Sequence, residues 1–124
     1  MLRPKALDHV GLIVSDMERS LRFYRALGAE LIRHPQRPGG ATVLKIGGTE
    51  LNVFRNADAA ANAAQPVDHL CFEMDCADMP ELLAELSEAG IEVARGPLER
   101  SDGTAVFVHD PDGMRLELLV KDGC

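Results

Sequence analysis

Apolar and polar residues alternate along two stretches of the chain that begin with the same short motif. Leu7-Asp8-His9-Val10 near the start of the sequence recurs as Val67-Asp68-His69-Leu70 near its middle. In each copy an apolar run of strand length follows, at 10–14 and at 70–74. This internal repeat predicts two modules that share one plan.

A stretch with helical spacing of apolar residues follows each of these strands. In the first copy Ser15 or Asp16 can accept hydrogen bonds from the first helical turn, and Gly28 can end the helix. The second copy has Asp78 as its cap, Pro80 in its first turn and a glycine at its end. The residues expected to face the core are Met17, Leu21, Tyr24 and Leu27 in the first helix and Leu82, Leu83 and Leu86 in the second.

Three more strands are predicted after each helix, separated by turns rich in Pro and Gly. They are 30–33, 42–46 and 50–54 in the first module, and 92–94, 104–109 and 115–120 in the second. The segment 34–40 is predicted as a loop, 110–113 as a tight turn and 56–66 as a linker. The plan is therefore βαβββ twice, with module one at about 7–55 and module two at about 67–120.

Length and charge exclude several classes of protein. A chain of 124 residues, of which 46% are hydrophobic, fits a single domain over 1–124 that needs no disulfides. A net charge of -7 with dispersed basic residues argues against nucleic acid as a partner. No apolar run reaches the roughly 20 residues of a membrane span, no signal peptide is evident, and Cys71, Cys76 and Cys124 suit reduced thiols. We expect a cytoplasmic protein with no membrane partner.

Polar side chains from four strands are predicted on the sheet face opposite the helices, because side chains alternate along a strand. His9 and His69 occupy matching positions on that face, and Glu117 lies there on the last strand. Glu50 and Asn52, on the strand before the linker, are predicted on the same face. A curved sheet with this face inside would gather these groups in a cup.

Two neutral imidazoles and one carboxylate can hold a divalent first-row metal ion and leave coordination positions free for a substrate. A structural zinc site would instead be closed by four ligands, usually with thiolates. The alternative is that both histidines are hydrogen-bonded pocket residues and Glu117 a solvated carboxylate. His34 is expected in solvent, and Cys71 as a small buried thiol. The residues expected to line a substrate pocket are Asn52, Phe54, Cys71, His109 and Arg115.

Further short motifs accompany the repeat. They are Gly11 to Met17 after His9, the pair Phe23-Tyr24 with Leu27-Gly28, the strand Cys71-Phe72 after His69, and Asp110-Pro111-Asp112-Gly113 followed by Glu117. Together these motifs resemble the vicinal-oxygen-chelate superfamily, which includes glyoxalase I, the bleomycin-resistance proteins and the extradiol dioxygenases. The resemblance spans about 7–120.

The resemblance implies an α+β fold in which two βαβββ modules form a curved eight-stranded mixed sheet, usually in a homodimer. It implies a divalent metal ion (Fe, Mn, Ni or Zn) with His9, His69 and Glu117 at ligand positions. It also implies a small-molecule substrate that chelates the ion through two neighbouring oxygens.

Position 52 departs from glyoxalase I. Asn52 falls where that enzyme has a glutamate that ligates the metal and moves the substrate proton, and an amide cannot act as the base. Glu50 lies two residues before Asn52 on the same face of the strand and is a weak catalytic candidate. Members with three protein ligands, the dioxygenases and the fosfomycin-modifying transferases, fit the pattern. We therefore expect either a glyoxalase-like lyase or isomerase or a dioxygenase.

A competing class is a sequestration protein like the bleomycin-resistance members, which bind a drug without chemistry. The His, His and Glu set argues against this class, as does the presence of one Tyr and no Trp to stack on an aromatic drug. A thiol-transfer enzyme is a third option, but no obvious cluster of cationic residues suited to a phosphonate is evident in the sequence.

Overall fold

The computed structural model describes residues 1–56, 67–75 and 78–122. The chain divides into two compact units, Met1–Ala60 and Ala61–Cys124, and each carries one copy of the repeat. The predicted linker beyond Asn56 lies outside the described residues, as do Cys76 and Cys124. The assignment of 1–124 to a single domain stays a prediction.

Within its described residues, the first unit holds one helix and four strands. They are β1 (His9–Val14), α1 (Met17–Ala26), β2 (Glu30–Arg33), β3 (Thr42–Ile46) and β4 (Thr49–Arg55). The sheet order is β1-β4-β3-β2, in which β1 runs parallel to β4 and the other neighbours are antiparallel.

The second unit repeats this arrangement. It consists of β5 (Leu70–Glu73), α2 (Met79–Glu88), β6 (Arg95–Arg100), β7 (Gly103–His109) and β8 (Arg115–Lys121). The order is β5-β8-β7-β6, again with the first and last strands parallel. The described ranges contain eight strands in two four-stranded mixed sheets and one helix per module, which confirms the predicted α+β plan.

Both helices begin at the predicted aspartates. The Asp16 carboxylate accepts a hydrogen bond from the backbone N–H of Arg19 at 3.1 Å, and that of Asp78 from Glu81 at 2.9 Å. Each bond satisfies a backbone donor that has no partner within the helix. Neither described helix is long and apolar enough to cross a membrane.

The alternation along the strands separates a buried face from an exposed one. In the first unit Tyr24 of α1 is fully buried, as are Val14, Leu51 and Val53, whereas His9, on the other face of β1, is exposed. Burial of each large side chain stabilises the fold by about 1.5–3 kcal/mol. In the second unit β8 is buried on both faces, because Glu117 is 6% exposed and Leu119 9%.

The predicted strand at 92–94 is wrong, since the strand of this hairpin runs from Arg95 to Arg100. Ala94 still donates a hydrogen bond to Phe107, but the register shifts between Arg95 and Leu98, where Gly96 has a φ of 101°. A Gly-Pro pair inside a run without apolar alternation signals a turn. It is tolerated here because β6 is the edge strand of its sheet.

Gly103 provides a test of packing in the second unit. A Cβ atom there would overlap the carbonyl oxygen of Val120 on β8. We expect Gly103→Ala to lower the free energy of unfolding by about 1–3 kcal/mol through backbone displacement, measured by urea denaturation. Gly48→Ala is the matched control, because nothing lies within 4 Å of its Cβ position. Equal stability of the two variants would contradict the close approach of β7 and β8.

Candidate metal centre

Both repeated histidines bind the aspartate that precedes them. The Nδ1 atom of His69 lies 2.7 Å from Oδ2 of Asp68, and that of His9 lies 2.8 Å from Oδ2 of Asp8. A carboxylate only accepts, so it holds Nδ1 as an N–H and leaves the lone pair of a neutral imidazole on Nε2. Each histidine therefore presents Nε2 for a further interaction.

The carboxylate of Glu117 lies at the Nε2 atom of His69. Its Oε1 is 3.1 Å from that nitrogen, and the Glu117 side chain is 8% exposed against 35% for His69. Two lone pairs facing each other at this distance repel unless a proton or a metal ion lies between them. The structure thus brings two of the three predicted ligands together in the second unit, while His9 lies on β1 of the first.

Arg100 binds the other oxygen of this carboxylate. Its Nε and Nη2 atoms both lie 3.0 Å from Oε2 of Glu117, and its guanidinium lies 5.6 Å from the ring centre of Phe107. The ring of His69 meets the same phenyl ring edge-on at 5.6 Å. Arg100 thus occupies Oε2 and leaves Oε1 directed at His69. The sequence did not single out this contact, because the strand that carries Arg100 was predicted in the wrong place.

The strand registers identify the counterpart of Glu117 in the first unit. Glu117 pairs with Cys71, two residues after His69, and Asn52 pairs with Gly11, two residues after His9. Asn52 is therefore the repeat equivalent of Glu117. Glu50 instead pairs with His9 itself and with Lys45 on the other side.

Cys71 is exposed, contrary to the expected buried thiol. Partial desolvation, together with the neighbouring Glu117 carboxylate, raises the pKa of the Cys71 thiol above its usual value. The protonated form is thereby favoured at neutral pH, which makes the side chain a poor nucleophile.

Asp68 also binds Arg115. Nη1 of Arg115 lies 3.3 Å from Oδ1 and 3.2 Å from Oδ2 of Asp68. The hydrogen bond to His69, and then the charge of Arg115, lower the pKa of Asp68 below its usual value. Asp68 is therefore ionised at neutral pH and able to accept the proton of Nδ1. Arg115, predicted in the substrate pocket, fixes an aspartate that orients His69.

Four of the predicted pocket residues line two cavities. Asn52 and Phe54 line a cavity of about 370 Å³ in the first unit, and His109 and Arg115 one of about 210 Å³ in the second. Taken unit by unit, the described residues hold no group of three or more His, Cys, Asp or Glu side chains placed to bind a metal ion.

The sequence matches the Glyoxalase/Bleomycin resistance protein/Dioxygenase superfamily over residues 6–118, and the chain belongs to this superfamily. A lactoylglutathione lyase of Neisseria meningitidis serogroup A is 31% identical, over 93% of this chain and 90% of that protein. The glutathione transferase FosA of Serratia marcescens is also 31% identical, over 94% and 81%. A glyoxalase family protein from Enterococcus faecalis has the same fold, with a TM-score of 0.76 and 31% identity over 93% of this chain and 97% of that one.

Arg100→Ala tests whether Glu117 depends on its guanidinium partner. The change leaves a nearly buried carboxylate with His69 alone, and we expect the free energy of unfolding in urea with chelator to fall by about 1–2 kcal/mol. This is less than the roughly 3–5 kcal/mol of a fully buried pair, because the Arg100 side chain is 40% exposed.

Lys121→Ala is the matched control, since Lys121 binds Glu73 at 3.2 Å with both side chains about half exposed. We expect it to cost less than about 0.5 kcal/mol. Adding Glu117→Gln to Arg100→Ala should recover part of the loss, because a neutral amide is less costly to bury. Arg100→Ala no more costly than the control would show that Arg100 does not stabilise Glu117.

Proposed function

We propose that this protein is a divalent-metal-dependent enzyme that binds a small-molecule substrate through two neighbouring oxygens. His9, His69 and Glu117 are the proposed metal ligands. The observation that carries the proposal is the convergence of Nε2 of His69 and Oε1 of Glu117 at 3.1 Å, with the outer atoms of both groups already engaged.

The donor set fits a first-row divalent ion such as Fe, Mn, Ni or Zn. Imidazole nitrogen and carboxylate oxygen suit these ions, and each histidine has an aspartate on its far nitrogen to orient it. Bound at three protein ligands, such an ion would polarise the substrate oxygens in its free positions. The engagement of Oε2 by Arg100 favours binding through one carboxylate oxygen.

Residue 52 bears on the type of reaction. Asn52 is the repeat counterpart of Glu117, so the first module offers an amide where the second offers a carboxylate. An amide cannot remove a proton at neutral pH, and we assign proton transfer, in a lyase or isomerase reaction, to Glu50. This assignment is supported by the position of Glu50, which pairs directly with the proposed ligand His9 between the parallel strands β1 and β4. A dioxygenase reaction at the same three ligands would not need Asn52 as a base.

We also propose that the protein works as a homodimer in the cytoplasm. The family resemblance supports the dimer, and the amino-acid composition supports the compartment.

Metal content tests the ligand set. After incubation with each of the four ions and desalting, we expect about one bound ion per chain by inductively coupled plasma mass spectrometry. His9→Ala, His69→Ala and Glu117→Gln should each weaken binding by more than about 100-fold, since loss of a residue that only orients a ligand costs about 10–100-fold. Circular dichroism checks that each variant is folded.

His109→Ala is the matched control, because His109 lines the cavity of the second unit but is not a proposed ligand. It should bind metal like the wild type. A wild-type protein that takes up none of the four ions would refute the enzyme proposal and favour a sequestration protein.

Glu50→Gln tests the proposed base. With the hemithioacetal of methylglyoxal and glutathione as substrate, we expect kcat to fall by about 10²–10⁴-fold while metal content is unchanged. Glu30→Gln is the matched control, since Glu30 lies at the far end of the same cross-strand row, beyond Lys45. Full activity of Glu50→Gln would exclude Glu50 as the base, and an inactive wild type would exclude the glyoxalase reaction.

A further inference from the structure

The cavity of the first unit is lined by several basic side chains. Arg33, His34 and Arg37 contribute to a wall that also contains Asn52 and Phe54, around a volume of about 370 Å³. No Asp or Glu is among its lining residues, although the chain has 20 acidic and 13 basic residues. Positive charge is thus concentrated here in a protein whose net charge is negative. The volume falls within the roughly 300–1,000 Å³ of small-molecule pockets.

Neither arginine of this cavity has a carboxylate partner in the part of the chain that the structure describes. Among the described residues, the guanidinium groups of Arg33 and Arg37 make no ion pair. The cavity of the second unit has two arginines as well, but one of them, Arg115, already binds Asp68, and only Arg95 makes no ion pair among the described residues. The planar forks of Arg33 and Arg37 thus remain available for an oxyanion, which they can bind through two hydrogen bonds each.

Sheet register and a tight turn position these groups. A register shift between Leu31 and Arg33 brings Arg33 opposite Val43. Val43 pairs with Asn52 and Asn52 with Gly11, so this row crosses all four strands on the face that carries His9. The turn that follows β2 begins at Arg37, whose carbonyl accepts a hydrogen bond from Gly40 at 3.0 Å. Pro38 in its second position, and Gly39 with a φ of 75° in its third, define a type II turn.

Phe54 supplies an apolar wall beside the cations. It is 37% exposed and lies two residues along β4 from Asn52, so both side chains are on the cavity side of the sheet. A ligand that places an anionic group at the arginines could therefore lay an apolar portion against this ring.

We propose that this cavity binds a small organic dianion of the phosphate or phosphonate type, with Arg33 and Arg37 on its oxygens and Phe54 against its apolar portion. Two unneutralised guanidinium groups match a double negative charge. The inference rests on the proposed function only in naming the class of substrate, since binding of the anion needs no metal.

The test is a titration of metal-free, isotope-labelled protein in chelator at constant ionic strength, followed by ¹⁵N NMR. Phenylphosphonate and inorganic phosphate are the probes. We expect both to shift the amide signals of 33–41 and of Asn52, and phenylphosphonate to bind more tightly. Phe54→Ala should reduce that difference and leave phosphate binding unchanged.

Arg33→Gln with Arg37→Gln should weaken both probes by about tenfold or more, the loss expected for charge-assisted hydrogen bonds. Arg3→Gln with Arg22→Gln removes the same charge from exposed sites of the same unit and should leave binding unchanged. No saturable binding, or equal weakening by the two double variants, would overturn the proposal. Because the titration uses metal-free protein, a failure to bind the anion leaves the metal proposal standing. Anion binding by a protein that takes up no metal would refute the metal proposal and leave the anion proposal standing.

Discussion

The parallel pairing of the first and last strands of each module is the constraint on which the candidate site depends. Side chains repeat every two residues along a strand, so a slip of one residue would move His9 and Asn52, or Cys71 and Glu117, to the face against the helix. The pairs between Gly11 and Asn52 and between Cys71 and Glu117 fix that register in the two units. In β4 the buried Leu51 and Val53 oppose such a slip, because it would move them to the more exposed face of the sheet. The energy of the core thus also sets the position of the polar groups.

The burial of Glu117 is the second feature that determines the candidate site. A carboxylate with 8% exposure loses most of its hydration, and such a group is stable only when its oxygens have partners. Arg100 supplies partners for Oε2, while Oε1 faces an imidazole nitrogen that carries a lone pair if Asp68 holds the proton on Nδ1. Oε1 therefore needs a proton or a metal ion between it and the imidazole nitrogen. A proton on Nε2 would complete a structural ion pair, whereas a metal ion would be bound by both groups. We favour the metal centre because Asp68 orients the imidazole through Nδ1, as carboxylates do for metal-ligating histidines.

The fold could be predicted from the sequence largely because each element has its own local signal. Asp16 and Asp78 mark the helix starts, and the apolar residues at alternate positions of 10–14 mark a strand that packs against one face. The misses lie where a tertiary contact overrides such a signal. Strand β6 forms through a Gly-Pro pair that indicates a turn, and Arg100 was consequently not assigned to Glu117. The cationic cavity was missed for another reason: Arg33 and Arg37 are adjacent to Asn52 only through pairing across β3 and a turn in the loop after β2.

The two copies of the repeat have diverged in charge while keeping the same backbone register. In the second module Glu117 lies opposite Cys71, two residues after His69. Arg100 binds Glu117, and Arg115 binds Asp68. In the first module the equivalent position carries the neutral Asn52, and the described residues that line the cavity of Arg33 and Arg37 include no carboxylate. A carboxylate at position 52 would share the cavity with those arginines and compete with any anionic ligand. The amide at position 52 therefore serves both proposals, because it leaves the metal with three protein ligands and leaves the arginines free for an anion.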